Sequence, residues 1–257
     1  MSNLIKRENA WDKVDIFPIE GQRQWIQISA SKEKECSAFL KKLDKHIAKN
    51  PLKNNVYGIQ LNLSCPSPEL IKIGQGPALI KRPGKIISIL KELLKQDKYK
   101  VGIKVRLGLN ALEVKQRRII TLFEELKKID NPNFSRVTVH FKHAKDLSIS
   151  SYDYSLLNEL ASFNLPMILN GGVKNSKDFN NILRNVPNRK SIVGLMLGRE
   201  ALRNPDCFIE VNKNLNGMSI QPRTPPLIKS EFERFCAQHP SKPIFLATIK
   251  KYCSWYA

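Results

Sequence analysis

The chain lacks the cysteine spacings typical of disulfide frameworks and zinc clusters, and it lacks the long apolar runs of membrane segments. Its five cysteines are an odd number, widely spaced, and no two form a CxxC pair. A disulfide framework and a zinc cluster are therefore not expected, and a reducing cytoplasm is the predicted compartment. No apolar run approaches the roughly 20 residues that a membrane helix needs, and the N-terminus has no signal-peptide core. The sequence predicts neither a membrane segment nor a bound metal.

Acidic residues are also scarce. The 257 residues include 23 Asp and Glu against 43 Lys and Arg, which gives a formal net charge of +20. This surplus predicts attraction to a polyanion, namely RNA, DNA or an anionic membrane surface. Apolar residues make up 42% and charged residues 26%, a globular balance that excludes a wholly disordered or fibrous chain. The length suits one large domain, alone or with a short appendage.

Short apolar runs alternate along the chain with stretches whose apolar residues recur at helical spacing. Six of the runs predict strands, at Trp25–Ala30, Tyr57–Leu63, Val101–Leu107, Arg136–His140, Pro166–Asn170 and Ser191–Leu197. A predicted helix follows each strand, including one over Asp153–Ser162. Strict alternation of this kind indicates parallel strands joined by right-handed crossovers.

Two architectures fit this order of segments: an open doubly wound sheet and a (β/α)8 barrel. The apolar runs predict strands that are apolar on both faces. A barrel needs eight strand–helix units, and six are evident. Val14–Ile19 is a candidate for one more strand, although Pro18 disfavours it. After about Gly217 the composition shifts to a proline-rich linker and then to a basic, aromatic and helical tail.

Polar residues lie within or just after several of the predicted strands, where burial is costly unless they are paired or face a ligand. They are Gln27, Asn62, Cys65, Lys104, Arg106 and His140. The carboxyl ends of parallel strands are also where barrel enzymes place their chemistry. For any one of these residues, a satisfied core polar group is the simpler interpretation. Taken together, they indicate a functional site.

The last two predicted strands end in Asn170-Gly171-Gly172 and in Gly198-Arg199. Glycine lets backbone N–H groups approach an anion closely, and a helix N-terminus adds a favourable dipole. Phosphate often binds after the last two strands of a barrel. The two turns together therefore predict a phosphate site, although either turn alone is unremarkable.

These residues resemble the tRNA-dihydrouridine synthases. Asn62-Leu-Ser-Cys65-Pro66-Ser67-Pro68, followed by Gly74-Gln-Gly76-Pro-Ala-Leu79, is similar to the signature loop of that family. Further matching blocks follow in the family's order: Lys104-Val-Arg106-Leu-Gly108, Val137-Thr-Val-His140, Leu169-Asn170-Gly171, Leu197-Gly198-Arg199 and Asn204-Pro205. The resemblance covers roughly residues 22–210, and the cysteine loop and the Lys104 block are its specific parts.

The resemblance implies an α/β fold, a TIM-type (β/α)8 barrel whose first strand or strands are not evident in this chain. It implies an FMN-binding, barrel-like catalytic domain over residues 1–217 and a short helical extension over 222–257 that binds tRNA. The family's first strand and helix, with a flavin-contacting Pro-Met turn, have no match here. Ser64 stands in place of a glycine, Lys142 in place of an arginine and Ser148 in place of an aromatic residue.

The implied reaction is the reduction of a tRNA uridine to dihydrouridine, with FMN as the cofactor and NADPH as the reductant. Cys65 would protonate uracil C5 while the reduced flavin delivers hydride to C6. Asn62 and Arg106 would contact the uracil. By the same resemblance, the residues expected to bind FMN are Gln27, Lys104, His140, Asn170, Gly171, Gly172, Gly198 and Arg199.

Two alternatives remain open on the sequence. One is a flavin-free relative that binds structured RNA without reducing it. The other is a flavin dehydrogenase acting on free pyrimidines, whose barrels share similar cysteine and lysine chemistry. The charge surplus disfavours the second alternative, because a small substrate needs no basic surface. The sequence does not reveal the oligomeric state.

Overall fold

The structure is a computed structural model that describes residues 23–49, 56–216, 221–238, 253 and 255. Within this part of the chain, six strands alternate with helices. The strands are β1 (Gln24–Ile28), β2 (Val56–Leu63), β3 (Lys100–Arg106), β4 (Phe134–His140), β5 (Met167–Asn170) and β6 (Ile192–Met196). All six strands predicted from the sequence are thereby confirmed. The candidate strand at Val14–Ile19 lies outside the described residues.

Helices follow every strand. They are α1 (Glu33–Lys49), α2 (Pro68–Lys72), α3 (Pro83–Leu93), α4 (Ala111–Lys115), α5 (Arg118–Lys127), α6 (Leu157–Ser162), α7 (Ser176–Leu183), α8 (Arg199–Arg203), α9 (Cys207–Asn216) and α10 (Pro225–Gln238). Short 3-10 helices cover Gly76–Leu79 and Arg189–Ser191. None of these helices is long and apolar enough to cross a lipid bilayer.

The sheet order is β1-β2-β3-β4-β5-β6, the order of the strands in the chain. The first four strands pair in parallel. The register sets Asn62 beside Lys104 and Arg106 beside His140. A sequential parallel sheet with a helix after each strand belongs to the TIM-type α/β class, so the predicted fold class is confirmed, and the predicted C-terminal helix is present as α10.

The two faces of β2, β3 and β4 differ in polarity. One face carries buried aliphatic side chains, from Ile59, Leu61, Leu63, Val101, Ile103, Val105, Val137 and Val139. The other face carries Gln60, Asn62, Lys104, Arg106, Thr138 and His140, because side chains alternate along a strand. The expectation of strands apolar on both faces is therefore wrong for these three. Side-chain hydrogen bonds, such as those from Gln60 to Thr138 and from Lys104 to Ser64, offset the free-energy cost of burying these polar groups.

Trp25 of β1 lies over two glycines of the neighbouring strands. A Cβ atom at Gly58 would stand 2.7 Å from the indole, and one at Gly102 would stand 3.2 Å from it. The Arg136 guanidinium of β4 sits 3.5 Å from the centroid of the Trp25 ring, within the range of a cation–π contact. Glycine at these two positions therefore lets one aromatic ring reach from β1 to β4.

The chain divides into two compact units. The first contains the described residues up to Leu169 together with Pro187–Gly194. Within it, α1 contacts α3 and α3 contacts α5, and their buried side chains include Phe39, Ile89 and Phe123. The second contains Asn170–Val186 and the described residues from Leu195 onwards. The division predicted at residues 217–222 stays a prediction.

In the second unit, a buried ion pair ties α10 to the segment before α9. Asp206 is 2% exposed and accepts a 2.9 Å hydrogen bond from Nε of Arg223, which also pairs with Glu231 of α10. Trp255 donates a 2.8 Å hydrogen bond to the carbonyl of Leu202 and packs edge-on against Phe232. The C-terminal helix is therefore anchored by specific contacts within this unit.

Candidate active site

The peptide that precedes Cys65 is held by side chains from β2 and β3. The Lys104 ammonium donates a 2.7 Å hydrogen bond to the Ser64 hydroxyl, and Nε of Arg106 donates one of the same length to the Ser64 carbonyl. The Ser64 amide donates to the Asn62 side-chain oxygen at 2.9 Å. Three polar side chains thus fix one residue, and the half-buried Cys65 thiol follows it directly.

Gly76 supports the Cys65 loop from the other side. Its φ of +61° lies in the left-handed region that favours glycine, and an added Cβ would stand 3.0 Å from the Cys65 carbonyl oxygen. The 3-10 turn that begins at Gly76 is buried over its whole length. The glycine therefore lets a buried turn pack against the backbone of Cys65.

The cations beside Cys65 have perturbed pKa values. Burial, and next the nearby Arg106 charge, lower the pKa of Lys104 to about 8, while the Cys65 sulfur acts in the opposite direction. Burial also lowers the pKa of Arg106, against the opposing effects of Asp146, Cys65 and Tyr152. A lysine and an arginine that are both half-buried, with the arginine disfavouring the charge of the lysine, favour an electron-rich or anionic ligand.

The loop after β4 contacts the same arginine. Nη1 of Arg106 donates a 3.0 Å hydrogen bond to the carbonyl of His143. The His143 amide donates to the Asp146 carboxylate at 2.8 Å, and the His143 ring lies 3.1 Å from the same carboxylate. Arg106 therefore joins the loop that follows β2 to the loop that follows β4.

His140 and Lys142 surround Tyr152 in that loop. The His140 ring meets the Tyr152 ring edge-on, with centroids 5.8 Å apart, and the Lys142 ammonium lies 4.6 Å from the Tyr152 centroid. Tyr152 stacks in turn on Tyr154. His140 is thus held among aromatic and cationic neighbours at the carboxyl end of β4.

Gln27 reaches the site through a row of hydrogen-bonded side chains. Its amide nitrogen donates to the Gln60 oxygen at 2.7 Å, and the Gln60 amide nitrogen donates to the Thr138 hydroxyl at 3.0 Å. Gln60 and Thr138 are buried. Gln27 and Gln60 lie in register with Gly102, one layer below Asn62, whereas Thr138 lies in register with Lys104.

The second compact unit contains the two glycine turns. Gly171 and Gly172 follow β5 with φ values of +100° and +74°, conformations that glycine adopts without strain. The side-chain Nδ2 of Asn170 donates a 2.7 Å hydrogen bond to the Met196 carbonyl, which joins the ends of β5 and β6. Gly198 follows β6 and precedes α8, and Arg199 is the first residue of that helix.

The structure thus brings together two sets of predicted residues, one within each unit. The first contains Asn62, Cys65, Lys104, Arg106 and His140, with Gln27 linked to it through Gln60. The second contains Asn170, Gly171, Gly172, Gly198 and Arg199. The functional role of each residue stays a prediction.

Sequence reasoning did not assign a role to Gln60, Thr138 or His143, and it treated Ser64 only as a departure from a family pattern. Gln60 and Thr138 lie two residues before Asn62 and His140, so the alternation of a strand places each pair on one face. That spacing was the available signal. The carbonyl contacts of Ser64 and His143 left no signal in the sequence, because every residue has a carbonyl.

In the part of the chain that the structure describes, no three His, Cys, Asp or Glu side chains are grouped so that they would hold a metal ion. The five cysteines are free, and Cys36, Cys207 and Cys253 are buried. Burial raises the pKa of Cys36 to about 12 and, to a lesser degree, that of Cys207 to about 11. Cys65 is therefore distinguished from these thiols by its exposure and its cationic neighbours.

A family model described as "Dihydrouridine synthase (Dus)" matches residues 22–245. A Schizosaccharomyces pombe protein named tRNA-dihydrouridine(20) synthase (NAD(P)+) is 26% identical over 200 residues, covering 75% of this chain and 38% of that protein. A Saccharomyces cerevisiae protein of the same name is 27% identical over 168 residues, covering 62% and 41%. A Helicobacter pylori protein named "Probable tRNA-dihydrouridine synthase" is 28% identical over 194 residues, covering 73% and 52%. The chain spans about two fifths to one half of the length of these relatives.

Proposed function

The chain belongs to the dihydrouridine synthase family, and from that premise we propose that it reduces the C5–C6 bond of a uracil in tRNA, with FMN as cofactor and NADPH as reductant. The observation that carries this proposal is the arrangement around Cys65. A half-buried thiol follows a residue that is fixed by Lys104, Arg106 and Asn62. A positioned proton donor beside two cations suits the addition of hydrogen across a bond conjugated to a carbonyl.

Cys65 is the proposed general acid. When bound, the reduced flavin supplies a hydride for uracil C6, and the Cys65 thiol supplies the proton that C5 takes up. The thiolate left behind regains a proton from water. The hydrogen bonds to Ser64 on one side and the close approach of Gly76 on the other hold the cysteine backbone still. A fixed donor is what a proton transfer over hydrogen-bond distance requires.

Arg106 and Asn62 are the proposed contacts to the uracil. Arg106 carries five N–H groups, and its bonds to the Ser64 and His143 carbonyls fix the plane of its guanidinium. A guanidinium so oriented suits a carbonyl oxygen that gains electron density during the reaction.

The residues of the first unit fit the ring of a flavin. Lys104, with its pKa lowered to about 8 mainly by burial, provides a positive charge for the electron-rich pyrimidine edge of the ring. Gln27 and His140 are the proposed further contacts to the cofactor. The Gln27–Gln60–Thr138 row orients the Gln27 amide and gives it a defined hydrogen-bonding role.

The residues of the second unit fit a phosphate. Gly171 and Gly172 form a turn with positive φ values. Neither residue has a side chain that would shield the backbone N–H groups of this turn from an anion. The Asn170–Met196 hydrogen bond holds the ends of β5 and β6 together. Asn170, Gly171, Gly172, Gly198 and Arg199 are therefore the proposed phosphate-binding residues.

The proposed partner is tRNA, as the net charge of +20 is compatible with a polyanion. Extruding a uridine from a folded RNA costs a few kcal/mol, which phosphate contacts can offset. The extension over residues 222–257, of which α10 is the described helix, is the proposed additional RNA contact.

Two measurements test the proposal. Purified protein is titrated with FMN and followed by flavin absorbance, and the loaded protein is then incubated with NADPH and an unmodified tRNA transcript. We expect a yellow protein and dihydrouridine in the RNA by mass spectrometry. Mapping dihydrouridine in tRNA from cells that lack the protein identifies the modified position.

Each failure points to a different alternative. Protein that binds tRNA but stays colourless after FMN is added would indicate a flavin-free RNA-binding relative. Flavin-loaded protein that reduces free uracil and leaves tRNA unchanged would indicate a small-molecule dehydrogenase. Either result would overturn the proposed function.

A further inference from the structure

Large apolar side chains are exposed in the segments that follow three strands of the first compact unit. In its described part, Ile73, Leu112, Leu147 and Ile149 are 63%, 61%, 68% and 88% exposed. Ile73 and Leu112 lie at or in the short helices that follow β2 and β3, and Leu147 and Ile149 lie in the loop that follows β4. Val193, in a strand, is the other large apolar side chain exposed there. Scattered exposed aliphatic residues are ordinary, but a concentration in the connections around one site is a sign of a binding surface.

The loop that carries Leu147 and Ile149 is firmly anchored. The Lys142 side chain is buried, and its ammonium donates 3.0 Å hydrogen bonds to the carbonyls of both Leu147 and Ser148. The Ser150 amide donates to the Leu147 carbonyl, and the Asp153 amide returns the chain to the Phe141 carbonyl at 2.9 Å. A buried cation thus holds the backbone in a shape that leaves both aliphatic side chains in water.

This loop belongs to the neighbourhood of Cys65. It begins with His143, whose carbonyl accepts a hydrogen bond from Arg106, and Arg106 also holds Ser64. Leu147 and Ile149 follow Asp146, which contacts His143. The exposed pair is therefore displayed by the same framework that positions the proposed general acid.

We propose that Leu147 and Ile149 form an apolar wedge that packs against the bases next to the target uridine when it leaves the RNA stack. The inference rests on the proposed function, since it requires an RNA substrate. Removing a base from a stack costs a few kcal/mol, and apolar side chains that enter the base step replace part of the lost contact. The overall positive charge favours an RNA as the occupant, and the exposed Lys145 of the same loop is available to phosphate.

The test compares three variants of the full chain. Leu147→Ser with Ile149→Ser removes the apolar surface, and Leu147→Met with Ile149→Leu keeps it. Lys145→Ala removes a charge from the same loop and leaves the aliphatic pair. Affinity is measured by fluorescence anisotropy for an unmodified tRNA transcript and for an oligouridylate, at several salt concentrations. Thermal unfolding checks that each variant is folded.

The serine pair should bind the transcript about 5- to 20-fold more weakly, with an unchanged dependence of affinity on salt. It should bind the oligouridylate like the wild type, because no stack has to be opened there. The conservative pair should match the wild type on both RNAs. Lys145→Ala should instead weaken the binding of both RNAs and reduce the slope of log affinity against log salt concentration by about one.

Unchanged binding of the transcript by the serine pair would overturn the wedge, and so would an equal loss on both RNAs. The proposed function fails separately. If the wild-type protein binds the transcript but forms no dihydrouridine, the proposed enzyme function is wrong. The comparison of the variants in RNA binding then still shows whether Leu147 and Ile149 act as a wedge. Wild-type protein that binds neither RNA overturns both.

Discussion

The first compact unit groups polar side chains at its strand ends, whereas the glycine turns of the second unit are distinguished by their main-chain conformation. Around Cys65, three side chains converge on one residue, and a lysine with a pKa lowered to about 8 lies among them. At Gly171 and Gly172, the defining property is a positive φ at two successive residues. The first arrangement depends on which atoms the side chains carry, and the second on which conformations the backbone tolerates.

This difference predicts different responses to substitution. In the first unit, loss of one polar atom should change chemistry or charge and leave the backbone in place. In the second, addition of a single methyl group should change the backbone itself, because an L-residue at positive φ is strained by about 1–2 kcal/mol. Four variants test this contrast.

The largest expected effect is that of Cys65→Ala on the rate. Loss of the proton donor should lower the turnover of tRNA reduction by roughly 10²- to 10⁴-fold and leave tRNA and FMN affinities unchanged. Single-turnover formation of dihydrouridine measures the rate. Cys36→Ala is the matched control, because burial raises the pKa of this thiol to about 12; it should lower the melting temperature but not the rate. Unchanged turnover by Cys65→Ala would remove the thiol from the mechanism.

The next effect is that of replacing both Gly171 and Gly172 by alanine. Two strained residues should weaken FMN binding by about 100-fold, as read from quenching of flavin fluorescence. Gly84→Ala in the first turn of α3 is the control, because its added Cβ would meet no atom within 4 Å and its φ is not positive. Wild-type FMN affinity in the folded double variant would contradict a backbone site for the phosphate.

Lys104→Met should stabilise the cofactor-free protein by about 2 kcal/mol near pH 7. In the folded state the pKa of Lys104 is about 8, below its ordinary value of 10.5. Below pH 8 the folded protein is therefore destabilised by the full free energy of burying the Lys104 charge. Between pH 8 and 10.5 the unfolded chain holds the proton that the folded chain has released, and the stability of the wild type rises. The advantage of the methionine should therefore shrink across this interval in urea unfolding.

An exposed lysine provides the control for that measurement. Lys81→Met should change the free energy of unfolding little at any of these pH values. A constant advantage of Lys104→Met from pH 7 to 10.5 would contradict burial of the Lys104 charge.

The smallest effect is that of Ser64→Ala, which should lower the free energy of unfolding by about 1 kcal/mol. Loss of the hydroxyl that accepts from the Lys104 ammonium disfavours the charged form, so the pKa of Lys104 should fall further. The pH at which wild-type stability begins to rise should move down accordingly. In the Lys104→Met background, Ser64→Ala should have no pH-dependent effect, and additivity of the two changes would show that Ser64 acts elsewhere.

Local sequence patterns predicted all six strands that the structure describes but not all of the helix boundaries. The helix predicted over Asp153–Ser162 begins only at Leu157. Asp153 is held outside it, because its amide bonds to the Phe141 carbonyl and its carboxylate accepts from the Ser155 amide. Because its backbone and side chain make these bonds, Asp153 does not join the helix. The apolar spacing of the sequence does not reveal the bond to Phe141.

The grouping of site residues was partly predictable. The carboxyl ends of parallel strands share one edge, so Cys65, Lys104, Arg106 and His140 were expected there from strand order. Register decided more than order did. It set Arg106 beside His140 and Asn62 beside Lys104, and it aligned the polar faces of β2, β3 and β4 with one another.

The sequence by itself determined the alternation of strands and helices, the surplus of positive charge and the residue types near the strand ends, because these depend on composition and local spacing. Only the tertiary structure decided that Ser64 accepts from Lys104, that Arg106 joins two loops through their carbonyls and that a buried Lys142 displays Leu147 and Ile149. Such contacts join residues that are distant in the chain or use backbone atoms common to every residue. Their energy depends on burial and geometry, which no local pattern encodes.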